Sequence, residues 1–356
     1  MAKWIDCRSE ADSEAFTERS EERKGYLLRF SVRRVVPGLS YVPIDPVLWA
    51  FLQVGDTRHE PRNDMTMLYL CRDAVRLWRQ CRMLENDEAK VGNESSPLPT
   101  PGHSPSPTGR NRTYSSAFSG TTPLASATIQ VENGVGNREL SVGRCRNVRD
   151  QTLARDGDAC VVSKLAAAEA CHIYPFLAIR KKEPKRVQRF WDVLRMFWQK
   201  EKVDAWRSKI LQIEGGQPLE NMITLTATLH VFFSQAVFAL RPIRMTEDKK
   251  QLELEFHWLP KQMRSPQQPL NPLELPPSSR NRDCAGRGYR FYYREGTDHA
   301  RLCTGTQFTM TTDDPKDKPL PDPGLLELQW YLQRVFAISG AAAWKDEDFL
   351  KMVDCT

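Results

Sequence analysis

Apolar and polar residues alternate along residues 251–258, where every even position from Leu252 to Trp258 is apolar. Side chains with a period of two share one face of a β-strand, so this segment is predicted to be a half-buried strand. The odd positions, including His257, are then expected on the solvent face. A similar alternation in YLLRFSVRRVV, which starts at Tyr26, predicts a second half-buried strand.

Helical spacing of apolar residues marks three other segments. The first helix is predicted from Asn63 to about Leu84, with arginines on or beside the face opposite its apolar stripe. These arginines, interpreted as solvated surface, are Arg72, Arg76, Arg79 and Arg82. The aromatic stripe from Phe190 to Trp198 predicts a core helix. The stripe from Leu325 to Phe336 predicts another helix, which ends by about Gly340.

Short strands and a helix are predicted between residues 160 and 236. Cys160–Val162 and Ala170–Tyr174 are interpreted as strands, and Met222–Leu225 as a third. Thr226 suits the N-cap of a helix through about Ala236, because its hydroxyl can accept a hydrogen bond from the first helical turn.

The composition changes between residues 86 and 140, where Ser, Pro, Thr and Gly dominate. Such a segment lacks the apolar side chains that offset the entropy cost of ordering, so a long disordered linker is predicted. Residues 1–24 are polar and charged and are predicted to be disordered as well.

The spacing of the cysteines and the hydropathy of the chain indicate the cellular compartment of the protein. Nine cysteines occur without regular spacing and without a CxxC pair. This favours a reducing compartment over a disulfide framework and argues against a zinc knuckle. Because there is neither a run of about 18 apolar residues nor the apolar core of a secretory signal, no membrane association is expected. We expect an intracellular protein of the cytoplasm or nucleus.

Three polar residues are spaced so that their side chains can meet. Asn221 and His230 are nine residues apart, as a turn, a strand and the start of a helix require. His172 lies on the preceding predicted strand, so a hairpin would bring all three together. Each of them alone also fits a purely structural role.

Four segments carry a resemblance to a known family. AEACHIYPF, ENMITLTATLH and FALRPI, in this order, resemble the HNH, or ββα-metal, nuclease superfamily, specifically the fungal proteins that carry this domain. The later PLPDPGLLELQWYLQRVFAISGAA is similar to the tail of those fungal proteins. The resemblance covers about residues 145–343. It implies an α+β fold in which a ββα-metal module is embedded in a larger mixed domain.

This resemblance completes the predicted domain organisation. The predicted parts are a disordered N-terminus (1–24), a strand–helix segment that packs on the main domain (25–85), the linker (86–140), an HNH nuclease-like module with a basic helical insert (141–245), and C-terminal strands and a helix that complete the domain (246–345).

The resemblance also implies a role for each polar residue. His172 matches the general base that takes a proton from the water attacking phosphorus, a task that suits imidazole because its unperturbed pKa is about 6.5. Asn221 matches the residue that pins the hairpin and orients His172. His230 matches a ligand of a divalent metal ion, which stabilises charge on the phosphate. Mg²⁺ is the expected ion, with Zn²⁺ or Mn²⁺ as alternatives.

Two positions depart from the usual pattern of the family. Cys171 and Ser234 stand where many HNH nucleases have further metal ligands. A thiolate suits Zn²⁺ better than Mg²⁺, and serine is a poor ligand. Glu169, on the same strand face as Cys171, is a candidate to bind the ion instead. The candidate metal ligands are therefore His230, Cys171, Glu169 and Ser234.

Positive charge is concentrated in the basic insert. Between Arg180 and Lys209 there are eleven basic and four acidic residues, a local excess larger than the net charge of +6 of the whole chain. A basic face is the usual footprint of polyanion binding, although a solvated helix face has the same composition. With DNA as the expected partner, the candidate nucleic-acid-binding residues are Arg180, Lys181, Lys182, Lys185 and Arg186.

The sequence supports three hypotheses about function. The first is a metal-dependent HNH endonuclease that hydrolyses DNA phosphodiesters. The second is a degenerate HNH domain that serves as a non-catalytic nucleic-acid or protein interaction module. The third is a structural domain that binds neither metal nor DNA.

Overall fold

The computed structural model of this 356-residue chain describes residues 21–32, 44–56, 65–93, 147–175, 184–213, 218–279, 282–285, 290–295 and 297–350. Eight α-helices and seven strands lie in these ranges. In chain order they are α1 (Glu21–Val32), α2 (Pro46–Val54), α3 (Met65–Asn93), α4 (residues 147–155), β1 (Ala168–His172), α5 (Pro184–Phe197), α6 (Lys200–Ile213), β2 (Met222–Thr226), α7 (Ala227–Ser234), β3 (Phe238–Met245), β4 (Gln251–Trp258), β5 (Tyr292–Glu295), β6 (Asp298–Arg301), β7 (Thr306–Thr311) and α8 (Pro323–Ser339).

The strands of the described residues pair in three antiparallel sheets. β1 pairs with β2, β4 lies between β3 and β7, and β5 pairs with β6. Helices combined with antiparallel sheets define the α+β class, which confirms the predicted fold class. Helices α5 and α6 lie in the connection between β1 and β2, so the basic insert is part of the hairpin's own loop.

Strand β4 has the bounds that its alternation predicts, and its even-numbered side chains are completely buried. The interpretation of His257 as a surface residue is wrong, since it is 0% exposed. Helix α8 packs on this sheet, and the Trp330 ring lies 4.9 Å from the His257 ring between centroids. The second face of β4 is therefore covered by α8. The alternation of residues within one strand cannot predict such a contact.

Helix α8 confirms the predicted C-terminal helix. The Asp322 side chain accepts hydrogen bonds from the backbone N–H groups of Gly324 and Leu325, which satisfies donors of the first turn. Gly340 ends the helix with φ of 84°, a left-handed conformation that glycine adopts without strain. The apolar stripe between these caps is buried against β3, α2 and α6.

Helix α1 replaces the strand predicted near Tyr26, so that prediction is wrong, and the helix begins at Glu21, inside the predicted disordered N-terminus. Tyr26, Leu27 and Phe30 are buried whereas Leu28 is 42% exposed. This is the spacing of one helical face, and the buried Arg23 precedes it by one turn. The short alternation in the sequence therefore coincided with a helical pattern.

Helix α3 forms where predicted but extends to Asn93, beyond the predicted start of the linker at 86. The interpretation of its arginines as solvated surface is wrong for Arg72 and Arg82, which are 1% and 2% exposed. Arg72 pairs with the buried Asp45, the N-cap of α2. Burial raises the pKa of Asp45, and the Arg72 charge opposes that rise. Arg82 lies at the candidate site.

Several predicted segments differ from the structure or fall outside its described ranges. Cys160–Val162, predicted as a strand, is a turn whose Val161 N–H donates to the Thr224 carbonyl of β2. Residues 1–20 and 94–146, with most of the predicted linker, lie outside the described residues. No helix in the part of the chain that the structure describes is long and apolar enough to cross a membrane.

Candidate active site

Strands β1 and β2 and helix α7 form a ββα unit around the candidate residues. His172 at the end of β1 pairs with Met222 at the start of β2. Strand β2 ends at Thr226, and α7 begins at the next residue and packs against both strands. Thr226 occupies the N-cap as predicted, but its side chain makes no capping hydrogen bond. The unit brings the end of β1, the turn before β2 and the first turns of α7 together.

Asn221 holds the backbone that follows His172. Its side-chain Oδ1 accepts from Tyr174 N at 2.8 Å, and its Nδ2 donates to Tyr174 O at 2.9 Å. Its own carbonyl accepts from Ile173 N at 2.8 Å. One amide side chain can donate and accept at once, so asparagine satisfies both polar groups of Tyr174. With Asn221 only 1% exposed, these bonds are shielded from water.

His230 and Glu169 form a polar contact between α7 and β1. The His230 Nδ1 and Glu169 Oε1 atoms are 2.8 Å apart, and the two side chains are 9% and 16% exposed. Sequence analysis placed both residues among the metal ligands, and the fold brings them into direct contact. A carboxylate on Nδ1 fixes the ring orientation and leaves Nε2 as the second ring nitrogen.

His172 lies in a more buried environment than its strand position suggests. The residue is partly exposed, but its Nε2 atom is buried. Burial, together with the positive charges of Arg82 and His230, lowers the pKa of His172 to about 3. The imidazole is therefore neutral near pH 7, the protonation state that a general base requires.

Arg82 of α3 is a site residue that sequence analysis did not identify. Its Nη1 donates to His172 O at 2.9 Å, and its Nη2 donates to Ile173 O. The guanidinium lies over the rings of Trp78 and Phe233, 4.8 and 4.7 Å from their centroids. One signal was available, because Arg82 is in phase with the apolar stripe of α3 that includes Trp78.

Arg155 and Asp156 hold the start of β2 from the other side. Arg155 Nη1 donates to Leu219 O at 2.8 Å, and Nη2 donates to Met222 O at 2.9 Å. Both Asp156 carboxylate oxygens accept from Arg155, and Oδ2 also accepts from Thr224 N at 3.0 Å. The sequence showed only a polar turn here, because these partners lie more than sixty residues away.

Cys171 and Ser234 occupy the two positions that depart from the family pattern. Cys171 is 2% exposed on β1 opposite Ile223. Ser234 is 4% exposed, and its Oγ donates to Val231 O at 2.8 Å within α7. Both side chains are buried, and the Ser234 hydroxyl is used by its own helix.

The donor set bears on the kind of metal ion that the site suits. Among the described residues, no three His, Cys, Asp or Glu side chains stand together as metal donors. His230 and Glu169 supply one imidazole and one carboxylate, too few for a closed zinc site with four protein ligands. The pair suits an open site, in which water completes the coordination of a bound cation.

The basic insert is largely matched by acidic partners. Arg186 donates to Asp73 Oδ1 and Gln80 Oε1 of α3, while Lys185 is exposed at the start of α5. Further basic residues of α5 and α6 pair with carboxylates; these pairs are Arg195–Asp204, Lys200–Asp204, Lys202–Glu327 and Lys209–Asp322. Arg180, Lys181 and Lys182 lie outside the described residues.

The candidate site lies in a segment of the chain that is similar to a known family. Residues 160–241 match a family model described as HNH endonuclease. No curated protein and no solved structure matches the chain. The matched segment contains His172, Asn221 and His230, and it excludes Arg82 and Arg155. The match supports an HNH nuclease domain at residues 160–241 of this chain.

Proposed function

We propose that this chain is a metal-dependent endonuclease that hydrolyses DNA phosphodiester bonds with His172 as the general base. One observation carries the proposal: within the HNH segment, Asn221 holds the backbone next to a neutral His172 whose Nε2 atom is buried. Proteins of this family act on nucleic acid and generally use divalent metal ions.

His172 takes a proton from the attacking water in this proposal. Its low pKa keeps the imidazole unprotonated in the free protein. A phosphodiester anion brought beside it opposes the effect of the Arg82 and His230 charges and raises that pKa toward the working pH. The base is thus available before substrate binds and becomes a stronger proton acceptor when substrate is present.

His230 is the residue that would hold the divalent ion, and Glu169 is the residue that would orient it; Mg²⁺ is expected, with Mn²⁺ or Zn²⁺ as alternatives. We assign His230 as the ligand through Nε2, and Glu169 as the carboxylate that orients it from Nδ1. The bound ion supplies stabilisation of negative charge on the phosphate and the leaving oxygen. The buried Cys171 and Ser234 are assigned no direct role in this arrangement.

The basic residues that follow β1 in the chain would hold the DNA backbone. Lys185 and Arg186 begin α5, and Arg180, Lys181 and Lys182 precede them in the chain. Lysine and arginine contacts to phosphates give affinity that does not depend on sequence and falls with salt. This assignment predicts salt-sensitive binding to any double-stranded DNA.

The test is nicking of supercoiled plasmid DNA with Mg²⁺, Mn²⁺, Ni²⁺ or Zn²⁺ between about pH 6 and pH 9. His172→Ala is expected to lower the rate by roughly 10²–10⁴-fold, the usual contribution of a general base. His299→Ala is the matched control, because His299 is exposed on β6. Absence of cleavage with all four ions, or equal rates for the two variants, would contradict the proposal.

A second candidate function is supported by the donor set. Cys171 and Ser234 replace usual ligands, and the described residues contain no group of three metal donors. A degenerate HNH domain could therefore bind nucleic acid or protein without cleaving. DNA binding that is sensitive to salt, unchanged in His172→Ala and His230→Ala, and never accompanied by nicking would select this alternative.

A further inference from the structure

Arg82 links a helix outside the HNH segment to the residue proposed as the general base. It precedes His172 by 90 residues, yet its guanidinium bonds the carbonyls of His172 and Ile173. The side chain is 2% exposed, so these bonds form away from water. Hydrogen bonds from a charged donor are about twice as strong as neutral ones.

The environment of Arg82 suits a guanidinium and no other side chain. Its planar group lies over Trp78 and also over Phe233, which is on the same helix as His230. A guanidinium has a rigid fork of donors that reaches two carbonyls at once and stacks on aromatic rings, whereas lysine is a compact point charge. Arg82 thus contacts both elements that carry the histidines of the site.

Arg82 and Asn221 act on consecutive peptide groups. Arg82 holds the carbonyls of His172 and Ile173, and Asn221 holds Ile173 N and both polar groups of Tyr174. Every one of these contacts fixes the backbone that sets the direction of the His172 side chain. Asn221 belongs to the HNH segment, and Arg82 does not.

We propose that Arg82 is a positioning residue for His172, so that helix α3 is a working part of the nuclease site; this rests on the proposed endonuclease function. Loss of the guanidinium frees two carbonyls at the end of β1 and allows the imidazole to shift. A displacement of about 1 Å of a reacting group can lower a rate by roughly 10²-fold.

The matched pair of variants is Arg82→Lys and Arg72→Lys in the full chain. Both arginines are buried on α3, and Arg72 bonds Asp45 and Pro266 rather than the site. Steady-state nicking, thermal melting and amide hydrogen exchange of Ile173 and Tyr174 are measured for both variants and the wild type. A third variant, Arg82→Ala, is assayed with and without methylguanidinium.

We expect Arg82→Lys to lower kcat by about 10–100-fold with KM within about threefold, and to speed exchange of the two amides by about tenfold. Arg72→Lys is expected to lower the melting temperature while kcat stays within about twofold. Methylguanidinium is expected to restore part of the kcat of Arg82→Ala, which a loss of folding would not allow.

Equal kcat values for Arg82→Lys and Arg72→Lys would overturn the proposal, as would a change confined to KM. If the wild type does not nick DNA, the proposed function fails, and the amide exchange then decides the role of Arg82 separately. Faster exchange at Ile173 and Tyr174 in Arg82→Lys alone supports positioning. Equal exchange in the two variants overturns it.

Discussion

Two histidine–glutamate pairs in this chain have the same chemistry in different surroundings. His230 and Glu169 join α7 to β1 at 2.8 Å and remain 9% and 16% exposed. His257 and Glu255 lie two residues apart on β4 and are 0% and 2% exposed. The first pair adjoins His172 in the HNH segment, and the second lies under helix α8.

Protein groups surround the carboxylate of the buried pair. Gln307 and Arg241, which face Glu255 from the two neighbouring strands, contact its carboxylate at 3.0 and 3.5 Å. Burial alone would raise the pKa of Glu255, but the hydrogen bonds from His257 and Gln307 and the charges of His257 and Arg241 outweigh it and lower that pKa. A carboxylate with so many donors stabilises the sheet and has no access to a substrate.

The pair at the candidate site has a route to water, because its two side chains are partly exposed. Its exposure allows an incoming ion or phosphate to replace solvent, which the buried pair does not permit. The same two residue types therefore serve stability in one region and are available for chemistry in the other. The two pairs differ in burial because different elements of the fold pack over them.

The largest expected difference between the two pairs comes from removing each histidine. His230→Ala is expected to lower nicking by roughly 10²–10³-fold, because several kcal/mol of metal-supplied stabilisation is lost. His257→Ala is expected to reduce the free energy of unfolding by about 3 kcal/mol, because the buried Glu255 loses a partner. Urea denaturation and kcat per folded molecule distinguish the two effects. A large loss of kcat in His257→Ala would break the comparison.

Replacing each glutamate should give smaller effects in the same directions. Glu169→Gln is expected to lower activity or metal affinity by about 10–100-fold, as for other carboxylates that orient a metal-binding histidine. Glu255→Gln is expected to cost about 1–3 kcal/mol of stability and to leave the rate unchanged. Titration calorimetry with Mn²⁺ and thermal melting are the measurements. Unchanged Mn²⁺ affinity and activity in Glu169→Gln would show that Glu169 has no part in the site.

The sequence predicted the elements whose burial is set locally. The β4 and α8 patterns each have one continuous apolar face, and the strand from Met222 with its following helix is short but well marked. Their bounds in the structure agree with those expectations within a few residues. The strand predicted from Tyr26 was wrong because a segment of a few residues can fit both the strand period of 2 and the helix period of 3.6. Tertiary contacts stabilise the helix there.

The residues whose surroundings escaped prediction depend on partners far away in sequence. His257 is buried by α8, and Arg82 reaches carbonyls 90 residues further along the chain. The pattern of apolar residues within one helix or strand gives no information about burial by a distant element. His172, Asn221 and His230 were found because their order along the chain carried a family resemblance, which neither burial pattern nor charge would have supplied.

Acid titration of stability sharpens the comparison by testing the burial of His172. Its pKa of about 3 lies below the unfolded value of about 6.5, so the unfolded chain binds more protons between these pH values. Stability conferred by the neutral imidazole is complete above about pH 6.5 and falls as the pH drops. Between pH 7 and pH 5, the free energy of unfolding should therefore fall by about 1–2 kcal/mol less in His172→Gln than in the wild type. The measurement is urea denaturation of both proteins at several pH values. If the free energy of unfolding depends on pH in the same way for both, the imidazole is accessible to protons in the folded state.

The smallest expected effect concerns DNA binding by single lysines of the two regions. Lys185 is exposed at the start of α5, within the HNH segment, and Lys250 is exposed in the turn between β3 and β4. Each phosphate contact contributes close to one counterion, so Lys185→Gln should reduce the slope of log affinity against log salt by about one and weaken binding a few-fold. Lys250→Gln should leave both values unchanged, because that turn belongs to the sheet with the buried pair. Fluorescence anisotropy with a labelled duplex at several salt concentrations measures both. Equal slopes for the two variants would place the DNA away from α5, whereas a reduced slope only in Lys250→Gln would move the binding face to the sheet.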